Sequence, residues 1–86
     1  MWMSNEIHIP ISQHINVRLT PVTFQGVTVW HASIIGRHIV KFQVLNGAPR
    51  FMTPEDVQQW MEIKSAIRKK ILDRVKLEIV THKLLG

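Results

Sequence analysis

The sequence predicts an α+β fold: an antiparallel β-meander of three to four strands packed against one long C-terminal α-helix. Two observations carry this prediction. From residue 7 to residue 52, apolar and polar residues alternate with a period of two, which is typical of half-buried strands. From residue 54 onward, apolar residues recur at spacings of three and four, which is typical of an amphipathic helix. A chain of 86 residues has the length of one domain, so we expect a single domain over residues 1–86.

The first strand pattern lies near the N-terminus, where isoleucines alternate with polar residues or proline between Ile7 and Ile11. Pro10 lacks the N–H that a residue in a central strand must donate. We therefore expect residues 1–12 to form either an N-terminal arm or an edge strand. Residues 15–52 contain the remaining alternating segments and predict the antiparallel sheet itself.

Glycine-containing segments mark the turns between these strands. Asn46-Gly47 between two apolar segments is a strong hairpin signal, since both central residues of a type I′ turn need a positive φ. Gly26 predicts a turn or a bulge, and Gly36-Arg37 predicts a tight turn. Pro49 makes the strand that follows Asn46-Gly47 an edge strand.

The helix has a clear start. Thr53 can cap its first turn, and Pro54 suits its first position. Two carboxylates, Glu55 and Asp56, then complement the positive end of the helix dipole. The apolar residues that follow form one stripe: Val57, Trp60, Met61, Ile67, Ile71, Leu72 and Val75.

The end of the helix is open to two interpretations. Neither glycine nor proline interrupts the pattern after residue 54 until the last residue of the chain, which favours a helix over residues 54–85. The alternative is a helix that ends near Arg74, because residues 75–79 alternate well enough to form a strand.

Composition excludes several classes of protein. The chain contains no cysteine, which excludes a disulfide framework and a thiolate metal site. No apolar segment approaches the roughly 20 residues needed to span a bilayer. The N-terminal residues lack the basic and apolar regions of a signal peptide. The sequence therefore predicts a protein that does not enter a membrane and is located in the cytoplasm or, if the protein is viral, inside a virion.

The charge is unevenly distributed along the chain. Residues 1–62 contain four basic and four acidic residues, whereas residues 63–86 contain seven basic and two acidic ones. The whole formal net charge of +5 therefore comes from the C-terminal segment. Such asymmetry indicates a polyanionic partner, and the alternative is a solvated helix face that keeps the protein in solution.

No motif in the sequence predicts catalysis. The chain lacks a Gly-x-Ser-x-Gly nucleophile elbow, a phosphate-binding loop and a Gly-x-Gly-x-x-Gly dinucleotide fingerprint. Its five histidines do not pair at the i, i+4 spacing of helical metal sites. We therefore predict no enzyme activity, no catalytic residues, no metal and no cofactor.

Basic residues are the best candidates for a binding site. Phosphate binding requires cations spaced along a surface, and these are concentrated on the predicted helix. At about 100° per residue they do not share one face of that helix. The predicted nucleic-acid-binding residues are Arg37 and Lys41 in the sheet region and, in the helix region, Lys64, Arg68, Lys69, Lys70 and Arg74.

Part of the chain resembles a known family. The segment Gly36-Arg37-His38-Ile39-Val40, the later Thr53-Pro54-Glu55, and then Gln58 or Gln59 with Trp60 resemble CedA, a family of small bacterial cell-division activators. The resemblance covers residues 27–63. It implies a three-stranded antiparallel sheet packed against a helix, and an association with duplex DNA and the transcription machinery.

These observations predict a small, non-enzymatic nucleic-acid-binding accessory protein of bacterial or phage type, which contacts phosphates with its basic C-terminal helix. We expect DNA rather than RNA as the partner. The alternative is a small protein–protein interaction module, such as a phage inhibitor or adaptor of host machinery, that docks on an acidic partner surface. In either case, pairing of two copies through the C-terminal helix would produce a homodimer.

Overall fold

In the computed structural model, which describes residues 6–34 and 39–82, an antiparallel sheet of five strands is followed by two helices. The elements are β1 (Ile7–Pro10), β2 (Asn16–Phe24), β3 (Val27–Ile34), β4 (Ile39–Leu45), β5 (Ala48–Phe51), α1 (Pro54–Met61) and α2 (Ser65–His82). The strand order in the sheet is β1-β2-β3-β4-β5, so each strand pairs with its neighbours in sequence. The predicted α+β class and antiparallel meander are confirmed.

The prediction of three to four strands is too low, because β1 joins the sheet. Ile7 lies opposite Leu19, and Ile9 lies opposite Val17. Both isoleucines therefore project to the same face as the buried residues of β2 and pack against the core. Burial of these two side chains stabilises the N-terminal segment as an edge strand. Pro10 is tolerated there because β1 lies at the edge of the described sheet.

Two tight turns lie at the same end of the sheet. In the β2–β3 turn, φ is 52° at Gln25 and 79° at Gly26. In the β4–β5 turn, φ is 53° at Asn46 and 78° at Gly47. Two consecutive positive φ values are characteristic of a type I′ hairpin turn. The prediction for Asn46-Gly47 is confirmed, whereas the predicted turn at residues 36–37 lies outside the described residues.

The helix predicted over residues 54–85 is not continuous, because it breaks between α1 and α2. The N–H of Glu62 bonds to the carbonyl of Gln58, whereas the N–H of Ile63 bonds to the carbonyl of Trp60 in a tighter turn. This turn directs Ile63 into the core, where it is buried. A straight helix over residues 54–82 would be about 43 Å long, but the longest dimension of the molecule is 33 Å. The break lets α2 lie along the sheet.

The second helix continues to His82. The alternative of a helix that ends near Arg74, with a strand over residues 75–79, is therefore wrong. Val75 is fully buried, and Ile79 packs against the same core. Their four-residue spacing places both side chains on the side of the helix that meets the sheet, and the burial this achieves favours helix over strand.

Both helices cover one face of the sheet, and the hydrophobic core lies between the helices and the sheet. Trp30 and Phe42 from the sheet and Ile71 from α2 are among the largest fully buried side chains. Phe42, Phe51 and Trp60 form an aromatic cluster with ring centroids between 5.4 and 6.1 Å apart. The opposite face of the sheet, the open face, is not covered by any described element.

The start of α1 is capped as predicted. The side-chain oxygen of Thr53 accepts the backbone N–H of Asp56 at 3.1 Å. Asp56 does more than complement the helix dipole, because its buried carboxylate accepts the backbone N–H of Lys41 in β4 at 3.1 Å. This bond attaches α1 to β4 just beyond the last residue of β4 that pairs with β5.

Candidate nucleic-acid interface

The charged residues of the sheet all lie on its open face. Arg18 in β2, Lys41 in β4 and Arg50 in β5 are exposed, and their neighbours in each strand face the core. None of the five strands contains an aspartate or a glutamate. The strands therefore present cations, and no carboxylate, on the open face.

Cross-strand pairing arranges these residues in a band across the sheet. His31 in β3 lies directly opposite Lys41. Arg18 lies opposite Ser33, two residues from His31, so Arg18 and His31 are diagonal neighbours. Diagonal neighbours on one sheet face are about 7–8 Å apart. Lys41 and Arg50 are related in the same way, because Arg50 pairs two positions further along β4. Together these residues form the basic band: Arg18, His31, Lys41 and Arg50.

His31 is half-buried in the middle of the basic band. Burial lowers the pKa of His31 below its ordinary value, and the positive charge of Lys41 lowers it further, while the Asp56 carboxylate acts in the opposite direction. The imidazole is therefore neutral at neutral pH and can donate or accept a hydrogen bond. A phosphate bound beside Lys41 would favour its protonated form.

Glu6 lies at the edge of the basic band, just before β1. Its carboxylate oxygens are 3.7 Å from Arg18 Nη1 and 3.5 Å from His8 Nε2. The Arg18 side chain is 47% exposed in this contact. An exposed pair at this distance is weak and is screened by salt. A phosphate can therefore replace Glu6 as the partner of Arg18 at little cost.

Two of the predicted binding residues of α2 are engaged in ion pairs. Lys69 Nζ lies 3.1 Å from an oxygen of Asp73, and Arg74 Nε lies 2.9 Å from an oxygen of Glu78. Both pairs have the i, i+4 spacing that brings side chains together on one side of a helix. Each carboxylate lowers the positive potential that a phosphate would meet at these positions.

The other predicted binding residues near α2 lie on different sides of the helix. Arg68 Nη1 is 3.3 Å from Met61 Sδ, so its guanidinium is folded back towards α1. Lys70 and Arg74 line an open groove of about 340 Å³ between β1 and α2. Lys64 is exposed in the connection between the two helices.

The predicted binding residues therefore do not form one surface. Lys41 lies on the open face, whereas the other described members of the set, residues 64–74, lie on the side of the sheet that the helices cover. Arg37 lies outside the described residues.

The nucleic-acid-binding residues predicted from the sequence do not include Arg18, His31 and Arg50. The alternation of polar and apolar residues within each strand could have indicated them. Arg18, for example, lies between the buried Val17 and Leu19 and therefore faces away from the core. This signal was missed because residues 1–62 contain equal numbers of basic and acidic residues and so have no net charge. The acidic residues of that segment lie outside the strands, whereas three of its four basic residues lie within them.

The described residues form neither a metal site nor a membrane-spanning helix. Within residues 6–34 and 39–82, no group of three or more His, Asp or Glu side chains is arranged to hold a metal ion. No helix in this part of the chain is both long enough and apolar enough to cross a membrane. The chain matches no protein-family model, no curated protein and no solved structure. The resemblance of residues 27–63 to the CedA family therefore stays a prediction.

Proposed function

We propose that this protein is a small, non-enzymatic nucleic-acid-binding accessory protein whose open face contacts the phosphate backbone. The observation that carries the proposal is the charge of that face. Arg18, Lys41 and Arg50 are exposed on it, and the strands contribute no carboxylate. Phosphate binding needs cations spaced along a surface rather than an enclosed pocket. The diagonal spacing of the basic band suits such a ligand.

The cations around α2 make a second contribution in this proposal. Residues 63–82 contain six basic and two acidic residues, a net charge of +4. They lie on α2 and in the connection before it rather than on the open face. We propose that they raise the local concentration of the polyanion by long-range attraction. DNA is the expected ligand and the cytoplasm the expected location, in line with the resemblance to the CedA family.

The test is fluorescence anisotropy with labelled single-stranded DNA, duplex DNA and RNA at several salt concentrations. One variant removes the cations of the open face: Arg18→Gln, Lys41→Gln and Arg50→Gln. A matched control removes the same charge from α2: Lys69→Gln, Lys70→Gln and Lys76→Gln. We expect binding in the micromolar range for the native protein. We also expect the log–log salt slope to fall by about 2 to 3 in the open-face variant, at about 0.7 to 0.9 for each lost phosphate contact.

The outcomes separate the two surfaces. Absence of binding to all three ligands at low salt would overturn the proposal. A slope change confined to the α2 variant would assign the phosphate contacts to the helix. Equal changes in both variants would indicate attraction by net charge alone.

A second candidate function is a protein–protein interaction module, and one observation favours it. Leu77 and Val80 on α2 are 57% and 76% exposed, and Lys69 and Lys76 lie on the same outer surface of the helix. Apolar side chains flanked by cations suit an acidic protein surface or a second copy of this helix. Sedimentation over a range of concentrations, with Leu77→Glu as the disrupting variant, tests the homodimer.

A further inference from the structure

The open face has two parts of different chemistry, apart from one exposed isoleucine, Ile39, which lies opposite Ser33 at the end away from the two turns. Beside the two type I′ turns, exposed apolar side chains occupy the same face as the basic band. Phe24 and Val27 form a cross-strand pair next to the β2–β3 turn, and Leu45 adjoins the β4–β5 turn. These residues, together with the neighbouring one on β2, form the apolar end: Val22, Phe24, Val27 and Leu45.

Phe24 is the most exposed member of the apolar end, at 72%, and the other three are between 38% and 42% exposed. Scattered apolar residues on a protein surface need no explanation, but several adjacent ones on a flat face mark an interaction surface. Phe24 shares its face with Arg18, six residues or about 20 Å away along β2. A ligand that reaches from Arg18 to Phe24 must therefore be elongated, with both anionic and apolar groups.

We infer that the open face binds single-stranded nucleic acid, with phosphates on the basic band and unstacked bases on the apolar end. This inference rests on the proposed function and specifies its ligand. A duplex presents phosphates on its outside and encloses the faces of its bases, so it would leave Phe24 in water. A single strand exposes both groups, and its bases can stack on an aromatic ring. The inference departs from the duplex DNA that the CedA resemblance implies.

The charge of the face argues against a second copy of the chain as its occupant. Two copies packed face to face about a twofold axis would bring the same surface together from each side. Packed sheets are about 10 Å apart, so Lys41 and Arg50 would face like charges across a dry interface, with no strand carboxylate to compensate them. A polyanion has the complementary charge and also satisfies Arg18.

The length of the face sets the size of the ligand. A distance of about 20 Å between the two ends of the face suits a site of about four nucleotides, the lower limit for sheet proteins that bind single strands. Stacking on Phe24 tolerates any base, because every base has a π-face. We therefore expect tight binding of single strands with weak sequence preference.

The experiment compares two ligands of equal charge: a labelled single strand of thymidines, and a labelled duplex with the same number of phosphates, at the same salt concentration. The test variants are Phe24→Ala and Phe24→Trp. The control is Val57→Ala, an exposed apolar residue on α1. Phe24 is exposed, so we expect Phe24→Ala to fold, and near-ultraviolet circular dichroism of the buried Trp30 and Trp60 verifies it.

We expect the native protein to bind the single strand at least about tenfold more tightly than the duplex. Phe24→Ala should lose about 5- to 150-fold in single-strand affinity, the range for removal of one base–aromatic stack. Its duplex affinity should change less than about twofold, and Phe24→Trp should retain single-strand binding. Val57→Ala should change neither affinity.

Equal affinities for the single strand and the duplex would overturn the inference and leave the proposed function intact, and so would an unchanged single-strand affinity in Phe24→Ala. Absence of binding to both ligands would overturn the proposed function as well. Vesicles of phosphatidylglycerol form a further arm. If the native protein binds them but not the single strand, and Phe24→Ala loses that binding, the occupant of the open face is an anionic lipid surface and the inference is wrong.

Discussion

The Asp56 carboxylate accepts the backbone N–H of Lys41 at 3.1 Å, on the edge of β4 where β5 pairs. β5 pairs with β4 only from Phe42 onward. At Lys41 the carbonyl accepts the backbone N–H of Met52 at 3.4 Å, and the N–H donates to the helix side chain. The other oxygen of the same carboxylate accepts the Thr53 hydroxyl at 2.8 Å. The cap of α1 therefore also holds the backbone of the residue whose side chain is central to the basic band.

Removal of the Asp56 carboxylate should destabilise the fold. Asp56 is 4% exposed, and Asp56→Ala leaves the Lys41 N–H without its partner and loses the bond from Thr53. Hydrogen bonds to a charged group contribute about 1.5–3 kcal/mol each, so we expect the free energy of unfolding to fall by about 3 kcal/mol. Urea unfolding followed by tryptophan fluorescence measures the loss.

The neighbouring carboxylate is a matched control for this prediction. Glu55 is exposed in the same first turn of α1, so Glu55→Ala removes only its interaction with the helix dipole, worth about 0.5 kcal/mol. If the two variants lost equal stability, Asp56 would contribute through the dipole alone, and its bond to β4 would have no energetic role.

Stability should depend on the protonation of His31. Burial and Lys41 lower its pKa in the folded protein, whereas the unfolded chain binds the proton at the ordinary value of 6.5. The contribution of His31 to the free energy of unfolding is therefore fully present above about pH 6.5 and is lost as the pH falls below it, because the unfolded state then binds more protons. The denaturant midpoint of the native protein should fall as the pH is lowered from about 7.5 to about 5.5.

The variant His31→Gln should show a flatter pH dependence over the same window. His14 is exposed in the connection between β1 and β2 and is the control, because His14→Gln leaves the buried imidazole in place. Parallel pH profiles for His31→Gln and the native protein would mean that another group causes the decline.

Substitution of Gln25 by asparagine should stabilise the protein. Gln25 has a φ of 52° in the β2–β3 turn, a left-handed conformation that is unfavourable for glutamine and better tolerated by asparagine. We expect Gln25→Asn to raise the free energy of unfolding by about 0.5–1 kcal/mol. Gln13→Asn is the control, since Gln13 is an exposed loop residue without a positive φ. Equal effects at both positions would exclude relief of backbone strain as the cause.

Features that depend on adjacent residues could be predicted from the sequence. The Asn46-Gly47 turn and the Thr53 cap were both predicted, and both are present. Their causes are short-range, namely the steric cost of a positive φ and the bond between a side-chain oxygen and an N–H three residues later. The alternation that predicted the strands is equally local.

The break between the helices could not be predicted in this way. No glycine or proline marks it, and the residues around Ile63 are ordinary helix formers. The break exists because Ile63 gains burial between the helices and the sheet, and because α2 must lie back over a sheet shorter than a continuous helix. Neither cause can be recognised from the residues within one helical turn of the break.

The proposed binding surface also has features that the sequence predicted and features that only the tertiary structure decided. The amino-acid order established the basic character of the chain, its concentration after residue 62, and the alternation that sends Lys41 away from the core. Only the pairing of strands brings Arg18, His31 and Arg50 to the same band, because cross-strand register joins residues that are far apart in sequence. Charge is a local property of each side chain, but a phosphate meets the charges of one face. Which charges share a face is decided by register and by the face that the helices cover.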